Sequence, residues 1–286
     1  MPVISVRDAS FKYIGQKGQA LNHLSLDIHG GELLLVLGGD CSGKSTFCKL
    51  LNGLIPHEVK GEFSGEVLLN GRSTKSMSTG EIVRDVGLAL QDPDVQLFTD
   101  SVEEEVAFGP ENLGMHVDAI DANVSRALKM TGISTLRGKS PAALSGGQKQ
   151  RLAIASVLSM APKVVVLDEP MSMLDPRGRV EFLQMLGGLR DEQGIAVVLT
   201  SPEAEEVLPF CDRIAVLNGG SLVGVGSPAE MLTSSEGLMS LDIEPPQLLT
   251  LSESLSREGL LPNSRTFFDE GSALASLSRS PTARRL

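Results

Sequence analysis

Residues 33–45, LLLVLGGDCSGKS, constrain the fold more than any other stretch of the chain. Five apolar residues in unbroken succession read as a strand covered on both faces. A helical stretch, 44–54, follows at once. The loop between them fits Gly, four residues, then Gly-Lys-Ser. In that strand-to-helix context successive backbone N–H groups and a helix N-terminus form a concavity for phosphate oxygens. Gly38, Gly39, Asp40, Cys41, Ser42, Gly43, Lys44, Ser45 and Thr46 are therefore expected to line a nucleotide phosphate site. Lys44 is placed to reach the β- and γ-phosphates, and the Ser45 hydroxyl to ligate Mg²⁺.

Two more runs, VVVL at 164–167 and IAVVL at 195–199, share this texture. With helical stretches at 44–54 and 177–191 they predict a parallel α/β core. Residues 3–30 and 62–71 read as an antiparallel sheet beside it. Asn-Gly pairs in EVLLNGR (66–72) and IAVLNGGSLVGVG (214–226) predict hairpins. Few strand-like runs occur in 92–150, where amphipathic stretches such as 121–130 predict a helical insert. From about residue 236 Leu248, Leu251 and Leu255 fall on one helical face. The last nine residues, SRSPTARRL, are polar and basic, and are expected to be disordered. The chain thus divides into 1–235 and a C-terminal extension, 236–286.

Composition removes several classes of function. A net charge of −11 argues against a nucleic-acid partner, whose binding surface is usually basic. Cys41, Cys48 and Cys211 form no CxxC pattern, and residues 1–10 show no signal peptide, so a reducing cytosol is expected. The longest apolar runs fall far short of the ~20 residues that cross a bilayer. A membrane role therefore needs a membrane partner.

VVVLDEP, 164–170, sets Asp168 and Glu169 at the end of a buried strand. Ligands of open α/β sheets bind at that carboxyl edge. Standing alone, an acidic pair there is a solvated strand end. Beside a phosphate loop, Asp168 is a candidate Mg²⁺ partner and Glu169 a candidate general base for an attacking water.

LSGGQKQR, 144–151, narrows the class. With the loop at 38–45, Gln91, LDEP at 167–170 and MLDP at 173–176 in this order, the chain resembles the ATP-binding cassette (ABC) family. The resemblance covers most of 1–235. It implies a P-loop NTPase, with a RecA-like parallel core, an antiparallel β subdomain, an inserted helical subdomain and a small C-terminal extension. It implies ATP and Mg²⁺ as ligands, and two cassettes paired head to tail. Ser145, Gly146, Gly147 and Gln148 of one would cover the γ-phosphate held by the other. Bare backbone at a helix start suits that role. Tyr13 resembles the aromatic residue that stacks on adenine. Gln91 resembles the glutamine that senses Mg²⁺ and links to the membrane partner. Asp175 resembles the aspartate that crosses the dimer.

QDPDVQLF (91–98), VEEEVAFGPENLG (102–114) and LNGLIPHEVKGEFSGEV (51–67) look like the ATPase subunits of energy-coupling factor (ECF) transporters, including the cobalt type. That likeness implies a peripheral subunit on the cytoplasmic face of the membrane. It would power vitamin or metal-ion uptake through integral membrane subunits without touching the cargo. The extension 236–286 would then help dimerise or pack internally. The acidic run 103–105 would meet basic residues of a membrane subunit or face solvent.

Two positions leave the family pattern. Cys41 stands where a second loop glycine is usual, so the backbone there is expected to be strained and the thiol open to alkylation. Ser201 stands where a histidine usually contacts the γ-phosphate and attacking water. None of His23, His29, His57 and His116 lies in 195–210. The resulting expectation is an ATPase with catalytic positions Lys44, Gln91, Glu169 and Ser201, its own site slowed by Ser201. A partner ATPase subunit, different or identical, would complete the assembly. Two alternatives stay open: an ATP-clamped regulatory subunit beside an active one, and an ABC ATPase outside transport. One cassette without a long coiled-coil insert disfavours the last.

Overall fold

The computed structural model describes residues 1–260 together with 267, 271, 273 and 274. It begins with two antiparallel strands, β1 (Pro2–Tyr13) and β2 (Leu21–His29). Leu24, Leu26 and Ile28 of β2 are buried at alternate positions, the period of a sheet with one covered face. β3 (Leu33–Leu37) leads through the glycine-rich loop into α1 (Lys44–Leu51). α1 stops at Leu51 rather than 54, because Asn52 caps it and Gly53 turns left-handed at φ 79°. A single turn, α2 (Leu54–His57), precedes β4 (Gly61–Leu69) and β5 (Arg72–Ser73). The β4–β5 hairpin turns on Asn70 and Gly71, both at positive φ. These four strands form the expected antiparallel sheet, in the order β2-β1-β4-β5.

α3 (Thr79–Asp85), started by a reciprocal Ser78–Glu81 capping box, leads into β6 (Val86–Ala89). This strand is not legible as an apolar run, since Gly87 interrupts it. A Cβ at Gly87 would lie 2.3 Å from the Val157 side chain, so close helix–sheet packing requires the glycine. α4 (Val102–Asn112), α5 (Val117–Met130) and α6 (Gly146–Leu158) follow. α6 runs past 150, where the insert was expected to end, because Leu152, Ile154, Val157 and Leu158 are buried in the core. Beyond β7 (Val164–Leu167), α7 (Pro176–Gln193) crosses to β8 (Ala196–Ser201), and β9 (Arg213–Asn218) forms a hairpin with β10 (Ser221–Gly226).

The large sheet has the order β10-β9-β3-β8-β7-β6, with β10 antiparallel at its edge and the other five parallel. Its last hairpin turns on Gly219 and Gly220 rather than on the Asn218-Gly219 pair. The unbroken apolar runs now have a cause. Leu33, Leu35 and Leu37, with Val165, Leu167, Val197 and Leu199, face the core shared with the helices. The alternate residues, Leu34, Val36, Val164, Val166, Ala196 and Val198, face a second core with α1 and the antiparallel sheet.

Three short helices follow, α8 (Pro228–Met231), α9 (Ser235–Met239) and α10 (Gln247–Arg257). Leu238, Ile243 and Leu249 are buried in the first core. Leu248 and Leu255 pack with Phe267 and Ala273, while Leu251 is 41 % exposed. Two of the three leucines on the expected face are thus covered from within the chain. The tail 278–286, expected to be disordered, lies outside the described residues. Among the described residues no helix is long and apolar enough to cross a membrane.

Leu35 is fully buried at the centre of the sheet. Leu35→Ala should destabilise the fold by about 2–5 kcal/mol, whereas Val223→Ala on the exposed edge strand should cost less than ~0.5 kcal/mol. Denaturant midpoints of the two variants test this ordering.

Candidate functional site

Strand register assembles the site. Leu37 of β3 pairs with Ser201 of β8, and Leu167 of β7 with Leu199 of β8. The glycine-rich loop, the Asp168–Glu169 pair and Ser201 therefore emerge at one carboxyl edge of one sheet.

The loop has little room for side chains. A Cβ at Gly38 would lie 2.5 Å from the Leu217 carbonyl oxygen, and one at Gly43 2.7 Å from that of Ala20. Gly43 also sits at φ 106°, where an L side chain is strained. It precedes α1 without supplying a side-chain cap, so the first N–H groups of that helix are left for a ligand. The loop is braced from outside by the Gly220 N–H, which donates to the Ser42 carbonyl at 2.9 Å. Cys41 is exposed and left-handed at φ 58°, as expected of a residue standing in a glycine's place. Ser42 Oγ is buried without a hydrogen-bond partner.

Lys44 is buried and folds back over the loop. Its Nζ donates to the carbonyls of Gly38 at 2.8 Å and Gly39 at 2.9 Å, and lies 3.2 Å from Glu169 Oε1. The other carboxylate oxygen of Glu169 accepts from Gln91 Nε2 at 2.8 Å. Glu169 takes a left-handed φ of 44°. Thr200 steadies the acidic pair: its Oγ1 donates to Asp168 Oδ1 at 2.9 Å and accepts from the Glu169 N–H at 2.9 Å. This role of Thr200 is not among the expectations from the sequence. The signal was a hydroxyl at the end of the strand beside Asp168.

A cavity of about 500 Å³ brings Tyr13, Asp40, Cys41, Ser42, Gly43, Lys44, Ser45, Thr46, Gln91 and Glu169 together. That is within the usual range for a small-molecule site. Tyr13 Oη lies 3.1 Å from Thr46 Oγ1, and its ring meets Phe11 edge-on at 4.9 Å. The tyrosine is thereby fixed at the cavity wall. Ser201 lies outside this cavity. It is buried, and its hydroxyl accepts from the Glu203 N–H at 3.1 Å.

Ser145, Gly146, Gly147, Gln148 and Asp175 are not brought to the loop. They line a separate cavity of about 520 Å³. Ser145 and Gln148 form a capping box at the start of α6, the Ser145 N–H donating to Gln148 Oε1 at 3.1 Å. Asp175 caps α7, its Oδ1 accepting from the Gly178 N–H at 2.6 Å.

The C-terminal extension makes an unforeseen contact. A Cβ at Gly39 would lie 2.9 Å from the Asp242 carbonyl oxygen, so residue 242 presses on the loop's second glycine. Glu244 bridges to Glu203, and the Gln247 N–H donates to Glu205 Oε2 at 2.8 Å. Nothing local in the sequence signals these pairings. Two thiols are chemically quiet: burial pushes Cys48 well up, and Cys211 up to about 12.

The ABC transporter family model matches residues 21–172, more than half of the chain. A Pyrococcus horikoshii protein named as an ABC transporter ATP-binding protein is 43 % identical over 270 residues, 94 % of this chain and 95 % of the relative. The energy-coupling factor transporter ATP-binding protein EcfA of Syntrophomonas wolfei is 38 % identical over 261 residues, 91 % of this chain and 93 % of EcfA. The solved structure of CbiO1 from Clostridium perfringens, described as part of the ABC transporter complex CbiONQ, superposes with a TM-score of 0.71 at 34 % identity. It covers 84 % of this chain and 94 % of CbiO1. The chain belongs to the ABC transporter family, as an ATP-binding cassette similar to the ATPase subunits of energy-coupling factor transporters.

Proposed function

We propose that this cassette is the ATP-hydrolysing subunit of an ECF-type importer. It would lie on the cytoplasmic face of the membrane and drive vitamin or metal-ion uptake through integral membrane subunits. The observation that carries the reading is the chain of contacts Lys44–Glu169–Gln91 beside an uncapped helix N-terminus. The ammonium of Lys44 is the mobile part. It rests on loop carbonyls and Glu169, and can turn to the β- and γ-phosphate oxygens of bound ATP. Glu169 then accepts a proton from the attacking water, its carboxylate aimed by Gln91. Adenine would stack on Tyr13.

The hydroxyl of Ser45, the amide oxygen of Gln91 and the carboxylate of Asp168 are hard oxygen donors of the kind that hold Mg²⁺. A bound Mg²⁺ would supply charge neutralisation at the phosphate oxygens. Glu169→Gln should lower turnover by about 10²–10⁴-fold. With MgATP the same variant should elute as a dimer on size-exclusion chromatography. A monomer at saturating MgATP would count against paired cassettes.

Pairing follows from where the motifs lie. Ser145–Gln148 and Asp175 line a cavity apart from the chain's own phosphate loop. A second cassette would bring them onto the ATP held by its partner, with the N-terminus of α6 toward the phosphate. Ser201 favours a partner different from this chain, since the glycine-rich cover is intact while the chain's own γ-phosphate contact is shortened. The same residue keeps alive a second reading, an ATP-clamped regulatory subunit. Restoring a positioned contact of this kind is worth on the order of 10²-fold. Ser201→His should therefore raise MgATP turnover by about tenfold or more. Equal turnover of the two forms would end the idea of a slowed site.

A membrane subunit would seat on α4 and α5. Phe98 and Phe108 are 65 % and 43 % exposed and meet edge-on at 4.7 Å. They line a cavity of about 670 Å³ with Glu104, Glu111 and Val117. Glu103 is paired with Arg137 at 2.6 Å, whereas Glu104 and Glu111 have no ion pair among the described residues. Aromatic faces beside unpaired acids suit an amphipathic segment with basic residues. Co-purification from detergent-solubilised membranes, with the bound polypeptides identified, tests this. Integral membrane proteins should be retained, and Phe108→Ala with Glu104→Lys should release them. Retention of soluble proteins alone would favour an ABC ATPase outside transport.

A further inference from the structure

A smaller cavity of about 150 Å³ lies beside the phosphate site. Glu169, Thr200, Ser201, Arg179, Glu203 and Glu206 are among the residues that line it. Ser201 brings no charge to this space, and its hydroxyl oxygen already accepts from the Glu203 N–H. Among the described residues, Arg179, on the first turn of α7, is the one cation lining this space. Its Nε donates to the Leu174 carbonyl and its Nη1 to Glu206 Oε2, each at 3.2 Å. Its Nη2 has no partner among the described residues.

We infer that Arg179 supplies the positive charge at the γ-phosphate that a side chain at 201 does not. The inference rests on the proposed reading of the site as an ATP site. A guanidinium carries its charge at any working pH and offers phosphate a planar fork of donors. The cavity sets that fork and the general base Glu169 on the walls of one space. The ion pair with Glu206 is partly exposed, 30 % and 39 % at the two side chains, so it is a weak competitor for a phosphate. The residual turnover of a Ser201 site would then run through α7 rather than through the end of β8.

Binding separates this role from a purely structural clip between Leu174 and Glu206. The probes are MgATP and MgADP, titrated against the full-length chain carrying Glu169→Gln to block hydrolysis. Adding Arg179→Gln should weaken MgATP by about tenfold, the effect of one charge-assisted hydrogen bond, and leave MgADP within about twofold. Adding Ser201→His to that variant should restore the preference for ATP. Should Arg179→Gln fold poorly, Glu206→Gln gives an independent measurement. It frees the guanidinium and should strengthen MgATP several-fold without moving MgADP. Equal weakening of both nucleotides, no change in either, or no restoration by the histidine overturns the inference. So does an unchanged MgATP affinity in Glu206→Gln. If the chain without substitutions binds neither nucleotide, the ATP reading itself fails and Arg179's role falls with it.

Discussion

The parallel ladder joining β3 to β8 and β8 to β7 decides what this chain can do. Its register sets Leu37 beside Ser201 and Leu167 beside Leu199. The residues that follow those pairs then meet without any long-range side-chain search. Lys44 reaches Glu169, and Thr200 bonds both Asp168 and the backbone of Glu169. A slip of one residue in either pairing would exchange the two core faces of a strand, so the apolar alternation and the site geometry are specified together.

Two of the side-chain-bearing residues at positive φ lie at the same edge. Cys41 and Glu169 both hold left-handed backbone, an unfavourable state for residues with a Cβ. Surrounding contacts hold them there. Gly220 braces the loop from the β9–β10 turn, residue 242 presses on Gly39, and Gln91 and Lys44 grip the Glu169 carboxylate. The extension after 236 therefore packs against the glycine-rich loop as well as against the core.

The nucleotide loop and the glycine-rich start of α6 occupy different cavities, and this separation gives the chain two kinds of surface. One carries the Lys44–Glu169–Gln91 contacts beside the uncapped start of α1; the other carries the capped start of α6.

Local pattern determined a large part of this protein. A covered strand needs apolar residues at every position, a phosphate loop needs glycines at set spacing, and a helix start needs a cap. All three are written in short stretches, as at 33–45, 144–148 and 164–170. Hence the α/β class, the antiparallel subdomain and the glycine-rich loop between β3 and α1 could be read directly. β6 was hidden because its glycine is dictated by Val157 on a distant helix. The role of Thr200, the contact of residue 242 with Gly39 and the opening of Arg179 into the cavity beside Ser201 were equally hidden. Each depends on strand register or on packing between segments remote in sequence. Such pairings carry no local signature, because the free energy that selects them belongs to the assembled core and not to any stretch of the chain.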